Sequence, residues 1–142
     1  MGQSVPVLQR YNSKSKVISV SVNSNGDLMA FAEVNRVQFI EGNSHPFEGI
    51  TGIKFLNDDQ LIIAHGNGIS SINNDKIVWT HDVETGAENL NTNGQYIVFA
   101  DSLGRGHVIS SNGDLIFQPN FQSILHLSPG PQLAIANEDG HV

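Results

Sequence analysis

The chain has 142 residues, the length of one ordinary domain, with 39% apolar residues, only 15% charged ones and no cysteine. Disulfides, thiolate metal sites and a cysteine nucleophile are therefore excluded, and no apolar run approaches the roughly 20 residues of a membrane-crossing helix. The net charge of −7 is uneven, with five basic and four acidic groups in residues 1–54 against two and ten in residues 55–142, which disfavours a nucleic-acid backbone as partner.

An apolar stretch, Val5-Pro6-Val7-Leu8-Gln9-Arg10-Tyr11, comes first. Ile18-Ser19-Val20-Ser21-Val22 then alternates as a half-buried strand does, and the turn Asn23-Ser24-Asn25-Gly26-Asp27 leads into a second strand, Leu28-Met29-Ala30-Phe31-Ala32. Asn-Gly predicts a hairpin, since both residues tolerate positive φ. The arrangement returns as Ile53-Lys54-Phe55-Leu56, the turn Asn57-Asp58-Asp59-Gln60 and the strand Leu61-Ile62-Ile63-Ala64. It returns again as Asn89-Leu90, Asn91-Thr92-Asn93-Gly94 and Tyr96-Ile97-Val98-Phe99-Ala100, and last as Leu125-His126-Leu127, Ser128-Pro129-Gly130 and Leu133-Ala134-Ile135-Ala136. The closing alanines stand 32, 36 and 36 residues apart. A third and a fourth strand follow the alanine strand, the twelve residues from Gly68 to Trp79 aligning without a gap on those from His107 to Gln118, whereas the fourth unit reaches Val142 with its third strand barely begun.

Self-similarity at this period is the signature of a repeat architecture. The expectation is an all-β fold, a β-propeller of about four short four-stranded antiparallel blades, with units at approximately 17–49, 50–86, 87–122 and 123–142. Residues 5–11 would complete the last unit and close the ring, or the chain would assemble as part of a larger ring, because an incomplete blade exposes unpaired backbone groups at its edge. A three-unit β-trefoil has a similar period, but the fourth alanine strand argues against it. Asp101-Ser102-Leu103-Gly104-Arg105-Gly106-His107-Val108, followed by Ser111-Asn112-Gly113-Asp114-Leu115-Ile116, resembles the blades of WD40-like and PQQ-like propellers. In such blades a small residue and Asp end the second strand, and an Asp/Asn-Gly turn leads to the outer one.

No motif supports catalysis. The six histidines show no metal-ligand spacing, and Asn57-Asp58-Asp59 and Asn73-Asn74-Asp75 read as turns rather than calcium loops. Gly104-Arg105-Gly106 lacks the third glycine and the helix of a dinucleotide fingerprint, and no Gly-x-Ser-x-Gly occurs. The residues that follow the alanine strands, Glu33, His65, Asp101 and Asn137, are the candidate partner contacts at a rim; they would also cap hairpins. Trp79 reads as an outer-strand aromatic covering a neighbouring blade. The functional expectation is a cytoplasmic, non-catalytic protein-interaction or scaffolding module. It would have no cofactor or metal, no nucleic-acid or membrane partner, a protein partner and a capacity to oligomerise. The alternatives are a carbohydrate- or small-ligand-binding propeller and the N-terminal part of a larger propeller enzyme.

Overall fold

Short runs of Val, Ile and Phe fold as hairpins here because β-branched and aromatic side chains pack well on a pleated surface and the Asn, Asp and Gly between them reverse the chain. A computed structural model describes residues 12–118 and the strands at 124–128 and 134–137. Its first sheet consists of β1 (Ser19–Val22), β2 (Met29–Glu33), β3 (Arg36–Phe39) and β4 (Ser44–Pro46). The second comprises β5 (Gly52–Phe55), β6 (Gln60–His65), β7 (Gly68–Asn73) and β8 (Lys76–Asp82), and the third β9 (Ala87–Thr92), β10 (Tyr96–Asp101), β11 (Gly106–Ser110) and β12 (Leu115–Phe117). The pair β13 (Ile124–Ser128) and β14 (Ala134–Asn137) forms a fourth sheet. Every pairing is antiparallel between chain neighbours, so each sheet is a meander. The rest of the expected fourth unit, and the N-terminal stretch proposed to complete it, lie outside the described residues.

The second strands of the second and third sheets are apolar along their middles because both of their faces are covered. In β6, Leu61 and Ile63 enter a core shared with Ala30, Ala32 and Val37 of the first sheet, while Ile62 and Ala64 enter a core shared with Ile97, Phe99 and Ile109 of the third. First strands lie beside one another in the order β1, β5, β9, β13. β1 meets β5 through serines: the amides of Ile53 and Phe55 donate to Ser19 Oγ and Ser21 Oγ at 3.2 and 3.0 Å. Those bonds orient β1, with Ser19 and Ser21 facing the second sheet and Val20 and Val22 facing the opposite way.

Trp79 covers a neighbouring sheet, as its place in the outer strand suggests. Its ring packs against the core between the second and third sheets, and Nε1 donates to the carbonyl of Ser111 at 3.0 Å. Gly113 lies beneath it at φ 85°, where a Cβ would stand 2.6 Å from the ring.

Two local expectations change. At the Asn-Gly turns only the glycine is left-handed, with Gly26 at φ 78°, Gly94 at 90° and Gly113 at 85°. The loop closed by Ser110 is representative: the amide of Gly113 donates to the carbonyl of Ser110, and that of Ser110 to the carbonyl of Asp114, the pattern of a longer hairpin with one left-handed glycine. The two-residue turn with both φ positive falls instead on Asn74 (51°) and Asp75 (66°), where no glycine stands. The gapless match of third strands also shifts. Ile72 pairs with Leu61 and Ile109 with Ile97, so equivalent residues are 37 apart rather than 39. The 37 is the 36-residue spacing of the alanines plus one, because the preceding hairpin closes over two residues between His65 and Gly68 but over three between Asp101 and Arg105. A slip of two keeps every side chain on its face, which is why the strand assignment survives it.

Both cores demand apolar contact from two directions. Ile63→Asp should therefore abolish folding, Phe99→Ala should cost about 3–5 kcal/mol, and Asp59→Asn, at an exposed turn, should stay within about 0.5 kcal/mol. Urea unfolding followed by circular dichroism checks all three.

Candidate functional site

A meander places its turns alternately at two ends, and the hairpins between second and third strands share one of them with the links from each sheet to the next. At this rim each of the first three sheets carries a polar brace anchored on the residue after its alanine. In the first sheet Glu33 Oε2 accepts from Arg36 Nε at 2.7 Å and Oε1 from Arg36 Nη2 at 3.0 Å. The amides of Lys14 and Ser15 also donate to Oε1, at 2.9 and 3.1 Å. Arg36 Nη1 reaches Gln38 Oε1 at 2.9 Å. In the third sheet the buried Asp101 takes four bonds: the amides of Leu103 and Arg105 reach Oδ1 at 2.9 and 3.0 Å, and Arg105 Nε and His107 Nε2 reach Oδ2 at 2.7 and 3.0 Å. The ring of His107 stacks on Phe99 at 4.8 Å.

The second sheet solves the same problem without a carboxylate. His65 Nδ1 accepts from the amide of Asn67 at 3.3 Å, so Nε2 carries the proton toward Ser70 Oγ at 2.8 Å, and Ser70 continues to Thr80 Oγ1 at 3.0 Å. The register makes Gln38, Ser70 and His107 equivalent, since each follows the residue paired with the closing alanine.

These bonds set the protonation states. The Arg36 guanidinium, opposed by burial and aided by the amides and side chain of Ser15 and the amide of Lys14, pulls the Glu33 carboxyl from its ordinary 4.5 to about 2. For Asp101, burial pushes the carboxyl up, but the bonds from His107, Arg105 and Leu103 outweigh it and leave it below the usual carboxylate range. Burial lowers His65, against a smaller opposing pull from Asp82, which keeps the imidazole neutral as its tautomer requires.

The braces hold hairpin tips that point into solvent. Val34 is 55% exposed and Leu103 63%, large apolar side chains at the ends of the first and third hairpins. The tips are pinned: the carbonyls of Val34 and Asn35 accept from the amides of Ile50 and Phe47 at 2.8 and 3.1 Å, and that of Asn67 from Val83 at 3.0 Å. Between them the second hairpin presents only Gly66 and Asn67, beside a recess of about 120 Å³ lined by Thr51, Gly66, Thr85, Gly86, Glu88 and Ser102. Glu48, Asp82, Glu84 and Glu88 are exposed on the adjoining links, at the end of β8 and on β9.

Three of the expected contact residues stand at the rim, as their places in the sequence suggested, and cap its hairpins. Glu33, His65 and Asp101 are at the rim, yet their side chains are buried and committed to the hairpins, so the surface there belongs to the tips they support. Asn137 ends β14, and its side chain lies outside the described residues. Sequence reasoning missed Arg36, Gln38, Ser70, Arg105 and His107; the signal for two of them was an arginine three or four residues after an acid across a turn. Among the described residues no group of three or more His, Asp or Glu side chains is disposed to hold a metal, and no helix is long and apolar enough to cross a membrane.

No protein-family model matches the chain, and no curated protein matches it in sequence. Solved structures do match in shape. The computationally designed Ika4 protein superposes with a TM-score of 0.79 at 12% identity, over 99% of this chain and 96% of its own. The fold is propeller-like. The computationally designed Ika8 protein matches at 0.73 and 11% identity over 90% of this chain, and the Cps50 (Swd1) β-propeller domain of Myceliophteria thermophila at 0.72 and 15% over 93%. This chain spans 45% and 52% of those two. At such identities the likeness concerns the fold alone.

A carboxyl whose pKa is lowered by folding contributes stability above its unfolded value and loses it as pH falls through the folded one. Glu33 should therefore destabilise the domain between pH 4.5 and about 2. Glu33→Gln should lower the melting temperature at pH 7 and flatten its decline across that window. Asp101→Asn, which removes the charge from four accepted bonds, should cost about 1.5–3 kcal/mol at neutral pH. Melts at half-unit pH steps measure both.

Proposed function

We propose that this chain is a non-catalytic propeller module of WD40-like type that docks another protein on its braced rim. The observation that carries the reading is the pair of exposed apolar tips, Val34 and Leu103, each fixed by a buried acid and its arginine. An apolar side chain on a mobile loop loses conformational entropy when it binds, whereas one held by buried hydrogen bonds has already lost it, so rigid apolar anchors favour recognition. The exposed acids Glu48, Asp82, Glu84 and Glu88 lie along the same edge. Together these features fit a partner segment that offers aliphatic side chains flanked by lysine or arginine. Acidic groups on the links would steer such a segment and give its capture a dependence on ionic strength.

A photo-crosslinking amino acid placed at position 34 or 103 should trap the partner, and one at position 112, on the opposite edge, should not. Leu103→Ser should weaken binding roughly tenfold, the scale of losing one apolar anchor, with an unchanged melting temperature. Trapping from position 112 but from neither rim position would overturn the reading.

A further inference from the structure

The second and third sheets each bury one face on the sheet before them, and the register identifies the residues that do so. In the second sheet Ile53 pairs with Ile63 and Phe55 with Leu61, and all four pack against the first sheet. The same positions in the first sheet are Val20, paired with Phe31, and Val22, paired with Met29. There the face is open: Val20 is 66% exposed, Val22 52% and Met29 42%. Phe31 is covered, with the Arg36 guanidinium 5.8 Å above its ring. The serine contacts to β5 fix which way this face looks, since Ser19 and Ser21 occupy the other side of β1. Among the described residues no approach like those joining β1 to β5, β5 to β9 and β9 to β13 brings β13 to β1.

A row of exposed valines in the register of an inter-sheet core is a seam that lacks a facing sheet among the described residues. We propose that the facing sheet comes from a second copy of this chain. Each copy's first sheet meets the other's last, and two chains close one ring with twice the sheets of either. Two observations favour a second copy as the occupant. The open face continues the geometry already used between the first and second sheets. Two propeller-like neighbours are about twice as long as the matched chain, which spans 45% and 52% of them. Head-to-tail contacts of this kind terminate only when the rotation closes, which two half-rings satisfy.

The full chain, 15.4 kDa, should run in sedimentation and native mass spectrometry at twice its mass at micromolar concentration. Val20→Glu with Val22→Glu should return it to one chain with an unchanged strand spectrum, since both positions lie outside the two buried cores. Val22→Ser, which places no charge, should raise the dissociation concentration at least tenfold even if the double variant fails to fold. Val34→Ser with Leu103→Ser, on the rim, should leave the mass unchanged, so loss of partner docking and loss of pairing are distinguishable. A wild-type mass of one chain, an open-ended series of masses, or a Val22→Ser variant that pairs as tightly as wild type would each overturn the proposal.

Discussion

Everything in this fold rests on strands that are apolar on both faces. A strand in a two-layer protein alternates between inside and outside, but β6 and β10 are the middle of a stack, so successive residues serve different cores: Leu61 and Ile63 backward, Ile62 and Ala64 forward. The alanine at the end of the run is fully buried, and the residue after it turns from core to rim. Cohesion therefore passes from sheet to sheet, each holding only its neighbours, as in other stacked repeats.

The rim inherits its rigidity from that arrangement. A carboxylate beside a closing alanine sits too deep to be left unpaired: Asp101 draws on an arginine, a histidine and loop amides of the hairpin that follows, and Glu33 on the arginine of its hairpin and the amides of Lys14 and Ser15. Where the acid is replaced by His65, a neutral chain through Ser70 and Thr80 supplies the same constraint without charge. The position requires a satisfied polar group, and three chemistries meet the requirement.

Much of the architecture is legible in the sequence because alanine spacing and turn residues recur in nearly fixed register. The strand order, the four-stranded meanders and the place of Trp79 follow from that pattern. The turn geometry was less accessible, because Asn-Gly is compatible with several hairpin lengths, and only the pairing across Ser110 and Asp114 distinguishes them. Position in the repeat places Glu33, His65 and Asp101 at the rim, and the structure adds that their side chains are buried there. Sequence shows that Glu33 and Asp101 end a buried strand, and it does not show that the chain folds back over them. The apolar tips Val34 and Leu103 carry no repeat signal, being single residues in loops of unequal length.

The contact between Trp79 and the third sheet gives the molecule a built-in optical reporter. This is the sole tryptophan of the chain, and its indole bridges two sheets through the Ser111 carbonyl and the bare Cα of Gly113. Its emission therefore registers the integrity of one seam, whereas backbone ellipticity registers all of them. In a stack whose neighbours are joined pairwise, the two signals coincide when the sheets melt as a unit. They separate when the second and third sheets part before the strands themselves are lost.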